Sequence, residues 1–223
     1  MESSGFLNGI IIAFQTGGIW MVPIAVSLAL AAAFAIERFV RLYLQYPVNG
    51  ASFMFEVKKY VLANDIDGAI RLCNGAGQAA LPKVLKAGLQ RASRDETQIQ
   101  NAIDAASLEV MPKLERRLPY LALIANIATL FGLLGTIAGL IRSFAAIAQA
   151  DPAQRQAILS AGISEAMNAT AFGLLTAIFT MVAHSVLSTK ANSLLEEIDE
   201  FGVKLLDLLS ARKYRQSGSE KAE

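Results

Sequence analysis

The sequence predicts an all-α integral membrane protein with three transmembrane helices. Two observations carry this. Hydrophobic residues make up 54% of the 223-residue chain and charged residues only 17%, a balance outside that of ordinary soluble domains. The hydrophobicity is also localised. No Asp, Glu, Lys or Arg occurs in the 34 residues between Glu2 and Glu37, the 24 between Arg117 and Arg142, or the 24 between Glu165 and Lys190. Each run meets the length of about 20 apolar residues that a helix needs to cross a bilayer core.

Taken in order, residues 1–18 read as an interfacial amphipathic segment, "GFLNGIIIAFQTGG" ending at Gly17 and Gly18. No basic residue precedes the apolar run, and the run is too long for the core of a secretory signal, so the segment is expected to stay on the mature chain. Residues 19–44 form the first span, with Pro23 near its first turn, where a missing N–H costs least. Residues 45–96 read as a helical loop divided by "YPVNGAS", "CNGAGQAALP" and "ASRDET". Pro82 suits the start of one loop helix, and Asp95 or Thr97 suits the cap of the next. Over 97–149, Ile99, Ile103, Ala106, Val110 and Leu114 recur at three- and four-residue steps, which predicts a cytoplasmic helix continuing into the second span and bent by Pro112 and Pro119. "AQADPAQ" is a tight polar turn, so the second and third spans are neighbours. The third helix is expected over 154–211, about 85 Å at 1.5 Å per residue, extended past the membrane by Leu194, Ile198, Phe201, Leu205 and Leu208. Residues 212–223 read as a disordered tail.

Ten Lys and Arg lie in 45–118 and six from Lys190 onward, against none before the first span and two, Arg142 and Arg155, between the others. By the positive-inside bias the long loop and the C-terminus are cytoplasmic and the N-terminus is outside. The net charge of +1 offers no nucleic-acid footprint. One His and one Cys provide neither a metal-ligand cluster nor a nucleophile–base pair, so no enzyme activity is expected, and Cys73 is expected to be a buried filler.

Polar residues inside the spans carry the functional question. Thr129 and Thr136 lie one heptad apart with Asn126 a turn before; Thr170, Gly173, Ala177, Thr180 and His184 form a stripe on the third span. Gly132, Gly135, Gly139 and Gly173 are small enough for close helix packing. A membrane threonine commonly bonds a carbonyl one turn back on its own helix; aligned threonines on adjacent helices also line hydrated passages. Both readings stand for Thr129, Thr136 and Thr170. A proton relay needs a titrating group, and the charge-free runs hold no carboxylate, so a carboxylate would have to come from another chain. Glu165, one turn before Thr170, either snorkels or has a partner; His184 reads as an interfacial hydrogen-bonding residue rather than a shuttle.

"LERRLPYLALIANIATLFGLLGTIAGLIRSFAAIA", "GISEAMNATAFGLLTAI" and "PIAVSLALAAAFAIERFVRL" together resemble the ExbB/TolQ/MotA family of inner-membrane motor proteins, over about Gly17 to Leu209. Three spans with the N-terminus outside are closer to ExbB and TolQ than to four-span MotA. The resemblance implies a bacterial inner-membrane, ring-forming subunit, a homopentamer around a dimer of a single-span ExbD/TolR-like protein whose membrane Asp carries the proton. It also implies a TonB/TolA-like third component, and no cofactor beyond protons as the coupling ion. It assigns Thr136 and Thr170 to the pore, Glu165 to the glutamate of the third span, and Thr129 to a position where many members have proline. Phe179, His184 and Ser185 replace a further proline and a tyrosine-asparagine pair. The alternative is a structural membrane scaffold, in which the stripes are packing seams only; a self-sufficient channel lacks the midplane ionisable group it would need.

Overall fold

The computed structural model describes residues 17–220, with side chains to 213. The regular structure of the described residues is all helical, with no strand: α1 (Met21–Val40), a short π-helical turn (Arg41–Gln45), α2 (Gly50–Leu62), α3 (Ile66–Gly75), α4 (Ala80–Leu89), α5 (Glu96–Glu115), α6 (Leu118–Gln149) and α7 (Arg155–Glu220). All but the last two residues of the expected interfacial segment 1–18 lie outside the described residues. Three stretches, Met21–Leu62, Glu96–Gln149 and Arg155–Lys213, are long and apolar enough to cross a membrane, each holding an 18-residue window with mean hydropathy of 1.7, 2.0 and 1.7 respectively.

The chain divides into two compact units: residues up to Glu37 with Arg117–Val186, and Arg38–Arg116 with the residues from Leu187 onward.

In the first unit, α1 begins with Pro23 in its first turn, and Ser27 donates to the carbonyl of Pro23 at 2.8 Å. Met21 and Ile24 pack on Ala169 of α7, flanked by Phe131 and Phe172. The buried stripe of α6 runs Leu118, Leu121, Ala125, Ala128, Gly132, Gly135, Gly139 and Ser143. Its opposite face leaves Leu130, Leu133, Ile137, Ile141 and Phe144 exposed. A row of bare Leu, Ile and Phe on a helix of this length is a face for lipid or a neighbouring chain, not for water.

The second unit is built around long apolar side chains. Asn49 caps α2 by accepting from Ser52 N at 3.1 Å, and Asp65 caps α3 by accepting from Gly68 N at 2.7 Å. Glu197 of α7 also accepts from Gly50 N at 3.0 Å, satisfying another donor at the α2 start. Ile99, Ile103, Val110 and Leu114 of α5 are buried, and the α7 stripe continues through Leu187, Ala191, Leu194, Ile198, Phe201, Leu205 and Leu209. A Cβ on Gly88 of α4 would sit 2.9 Å from Ile103 and 3.0 Å from Leu205, so these three helices meet where a side chain is omitted. Cys73 is buried in α3.

Several boundaries differ from the sequence reading. The helix expected over 97–149 is interrupted: α5 ends at Glu115, Arg117 takes a left-handed φ of 67°, and α6 restarts at Leu118. The cause is Pro119, whose ring would clash with the carbonyl four residues back and which is tolerated in a first turn, where it now sits. Pro112, by contrast, stays inside α5. Asp95 occupies the α5 N-cap, but its carboxylate makes no cap bond and accepts from Lys213 Nζ at 3.1 Å instead. That contact, with Arg212 Nε donating to Asn64 Oδ1 at 2.9 Å, belongs to residues assigned to a disordered tail; α7 runs on to Glu220. Leu209, not Leu208, is the fully buried residue of the last turns.

Candidate functional site

The short turn between α6 and α7 sets the register of a helical hairpin in the first unit. Residues equidistant from positions 152 and 153 face one another: Ser143 with Gly162, Gly139 with Ala166, Gly132 with Gly173. Small residues at each pair bring the backbones together. A Cβ on Gly173 would lie 2.7 Å from the Ala128 carbonyl and 2.9 Å from Gly132 Cα; one on Gly139 would lie 2.9 Å from Ala166 Cβ, and one on Gly135 2.7 Å from Ala169 Cβ. Gly132 is less tight, at 3.2 Å from the Ala169 carbonyl and Thr170 Cα.

Into this seam project Thr136 from α6 and Thr170 from α7, both half-buried, and their hydroxyls are hydrogen-bonded to each other. Thr170 Oγ1 also reaches the carbonyl of Gly132 at 2.9 Å, while Thr136 Oγ1 has the carbonyls of Gly132 at 3.2 Å and Ala166 at 3.4 Å. Two hydroxyl protons therefore serve more acceptors than they can fill at once. Either Thr136 donates to Thr170 and Thr170 to Gly132, or Thr170 donates to Thr136 and Thr136 to a carbonyl. The pair can reorient without breaking the seam, but neither group titrates in the physiological range.

Thr129 stands apart from the pair: it donates to the Ala125 carbonyl at 3.2 Å on its own helix. Thr180 is buried and donates to the Thr176 carbonyl at 2.7 Å; Ala177 and His184 are only partly buried. The buried face of α7 here is Ala166, Ala169, Gly173, Thr176 and Thr180. Thr176 lies outside the stripe expected over Thr170–His184, which passes through Ala177, one residue off this face.

Glu165 has a partner within the chain, Arg142, whose Nη2 lies 2.6 Å from Oε1. Gly18, at a φ of +71°, lies against this pair: a Cβ there would be 2.0 Å from Glu165 Oε1 and 3.3 Å from Arg142 Nη2. The three residues border an open groove of about 610 Å³ that is also lined by Gly139, Ser143, Ile158 and Gly162. The hairpin register carries the signal for this pair, since Arg142 and Glu165 are almost equidistant from the turn. Among the described residues, no group of three or more His, Cys, Asp or Glu is placed to hold a metal ion.

A hairpin closed on glycine and threonine, with apolar outer faces and a first span beside it, defines a multi-pass membrane protein. The sequence model of the MotA/TolQ/ExbB proton channel family matches residues 76–200, and the chain belongs to that family. The Tol-Pal system protein TolQ of Haemophilus influenzae is 36% identical over 104 residues, 45% of this chain and 45% of TolQ. A putative biopolymer transport protein, ExbB-like 3, of Synechocystis is 30% identical over 173 residues, 77% of this chain and 81% of that one. The biopolymer transport protein ExbB of Salmonella typhimurium is 34% identical over 104 residues, 47% of this chain and 42% of ExbB. The matches to TolQ and to the Salmonella ExbB thus span less than half of those proteins.

Proposed function

We propose that this chain is the ring subunit of an inner-membrane proton-driven motor, with its N-terminus periplasmic and its C-terminus cytoplasmic. It pairs with a single-span ExbD/TolR-like protein and couples proton flow to mechanical work in the envelope, of the TonB-type import, Tol-type maintenance or gliding kind. The observation that carries this reading is the Thr136–Thr170 hydroxyl pair, half-buried in a seam of spans that contain no carboxylate. Such a pair accepts and donates beside a proton carrier but cannot itself hold the proton, so the titrating carboxylate is the partner's membrane Asp. Protonating that Asp removes a charge that is costly in the bilayer, and the partner then moves against the threonine-lined ring. Thr136 and Thr170 are the pathway residues in this reading, Glu165 with Arg142 stands at the outer mouth, and Gly132, Gly135, Gly139 and Gly173 hold the subunit together.

The own-helix bonds of Thr129 and Thr136 favour a second reading, a membrane scaffold in which threonines only pack. Proton flux into proteoliposomes separates the two. Flux is expected only when this chain and its single-span partner are both present, and a Thr136→Ala, Thr170→Ala double variant is expected to lower it by at least tenfold. Undiminished flux in the double variant would remove the threonines from the pathway. Absence of flux under any driving force would leave the scaffold.

A further inference from the structure

Arg38, at the end of α1 in the second unit, is the largest fully buried side chain of the described residues, 0% exposed. Its Nη1 donates to the carbonyl of Lys113 at 3.1 Å, but Nε and Nη2 find no hydrogen-bond partner among the described residues. Those two donors lie on one edge of the guanidinium plane, the fork that engages two oxygens of a carboxylate or phosphate. The charges that act on Arg38 are Arg41 and Arg116, both of its own sign, beside the Tyr46 phenol. A buried cation flanked by cations and left with its fork unengaged is costly unless an anion joins it.

The surroundings select the anion. Arg38 follows the charge-free run of the first span with only Glu37 between. Beside it Phe39 and Tyr43 stack with centroids 4.6 Å apart and are 52% and 39% exposed; Lys190 Nζ lies 5.8 Å from the Tyr43 ring, and Leu44 is 73% exposed. Exposed aromatic rings with cations at the end of a span mark the headgroup level of a bilayer, and basic clusters at that level take anionic headgroups. Arg116 is exposed and Arg41 half-buried.

We propose that Arg38, Arg41 and Arg116 form a binding site for the phosphate of an anionic lipid, with the Arg38 fork gripping two phosphate oxygens. The leaflet rests on the orientation proposed above; the chemistry does not, and lipid binding is measured without reference to proton flux. The test is native mass spectrometry and thermal unfolding of the purified full chain in neutral detergent, with dihexanoyl phosphatidylglycerol, dihexanoyl phosphatidylcholine or inorganic phosphate added. Phosphatidylglycerol is expected to be retained and to raise Tm where phosphatidylcholine does not. Arg41→Gln and Arg116→Gln are each expected to weaken retention about fivefold, and Arg38→Lys, which keeps the charge and loses the fork, is expected to weaken it further. If Arg38→Lys does not fold, Arg116→Gln at an exposed position carries the test. Equal retention of the two lipids overturns the site, and equal protection by inorganic phosphate overturns its assignment to lipid. Lipid indifference with dissociation of the oligomer in Arg38→Lys would give the fork to a carboxylate of a neighbouring chain.

Discussion

Along α7 the packing rule changes. Up to Val186 the buried side chains are Ala166, Ala169, Gly173, Thr176 and Thr180; from Leu187 onward they are Leu187, Ala191, Leu194, Ile198, Phe201, Leu205 and Leu209. One helix thus carries the packing patterns expected of two solvents. Where water surrounds it, removing large apolar side chains from solvent contributes about 25 cal/mol per Å², so Leu, Ile and Phe point inward. Where lipid surrounds it, burying a leucine gains little, since hydrocarbon is there already. Helices then associate through close backbone contact and interhelical hydrogen bonds, which small residues and threonine allow. Along the hairpin seam the buried residues are consequently smaller than the exposed Leu, Ile and Phe on the outer face of α6.

This contrast is broken most strongly in the second unit. Leu85→Ala, at a fully buried position of α4, is expected to destabilise that unit by about 2–5 kcal/mol, the range for large-to-small changes in a close-packed core. Hydrogen exchange resolved by segment checks it: protection should fall across α3 to α5 and hold in the α6–α7 hairpin. Equal loss in both would mean that the units do not unfold separately.

In the hairpin the damaging change is the opposite one, an added methyl. Gly173→Ala places a Cβ 2.7 Å from a backbone carbonyl that cannot swing away, whereas Gly132→Ala meets its nearest atoms at 3.2 Å. Overpacking costs about 1–3 kcal/mol, so Gly173→Ala is expected near the top of that range and Gly132→Ala near the bottom, read as the midpoint of unfolding in sodium dodecyl sulfate. Reversed order would show that the hairpin register differs from that described.

Much of this was legible from residue order. Charge-free runs locate the three apolar stretches, and the short "AQADPAQ" turn makes α6 and α7 neighbours. What escaped depended on three-dimensional register or on competition between signals. The three- and four-residue periodicity from Ile99 to Leu114 holds within α5, yet Pro119 splits the expected helix just beyond it, because a steric clash at one residue is stronger than a hydrophobic pattern over many. Arg142 was counted only as a basic residue in a connection, since its pairing with Glu165 is visible only once the hairpin is folded about its turn. The burial of Arg38 has no signal in residue order, because nothing in a linear pattern tells that a charged side chain is fully covered.

Thr170→Ala sharpens the comparison by separating packing from conduction. It removes the donor that lies 2.9 Å from the Gly132 carbonyl, and interhelical hydrogen bonds of this kind average only about 0.6 kcal/mol, rarely above about 1.7. A small shift in detergent resistance with a large loss of proton flux would mark a pathway hydroxyl. A small shift with flux intact would mark a packing group.

The smallest effect at neutral pH belongs to Cys73 in the second unit. Burial in α3 pushes its thiol up from 9.0 to about 11. The folded chain therefore holds the thiol proton more tightly than the unfolded chain does, so the contribution of the protonated thiol to stability is complete below about pH 9 and is lost as pH rises toward 11. In that window the loss is at most about 1.4 kcal/mol per pH unit. The slope is isolated by subtracting the pH profile of Cys73→Ala, which shares every other titrating group. Wild type and variant should run parallel from pH 7 to 8.5 and converge above 9. Parallel curves to pH 11 would mean that the thiol ionises as easily folded as unfolded, and that α3 opens to water on the timescale of the measurement.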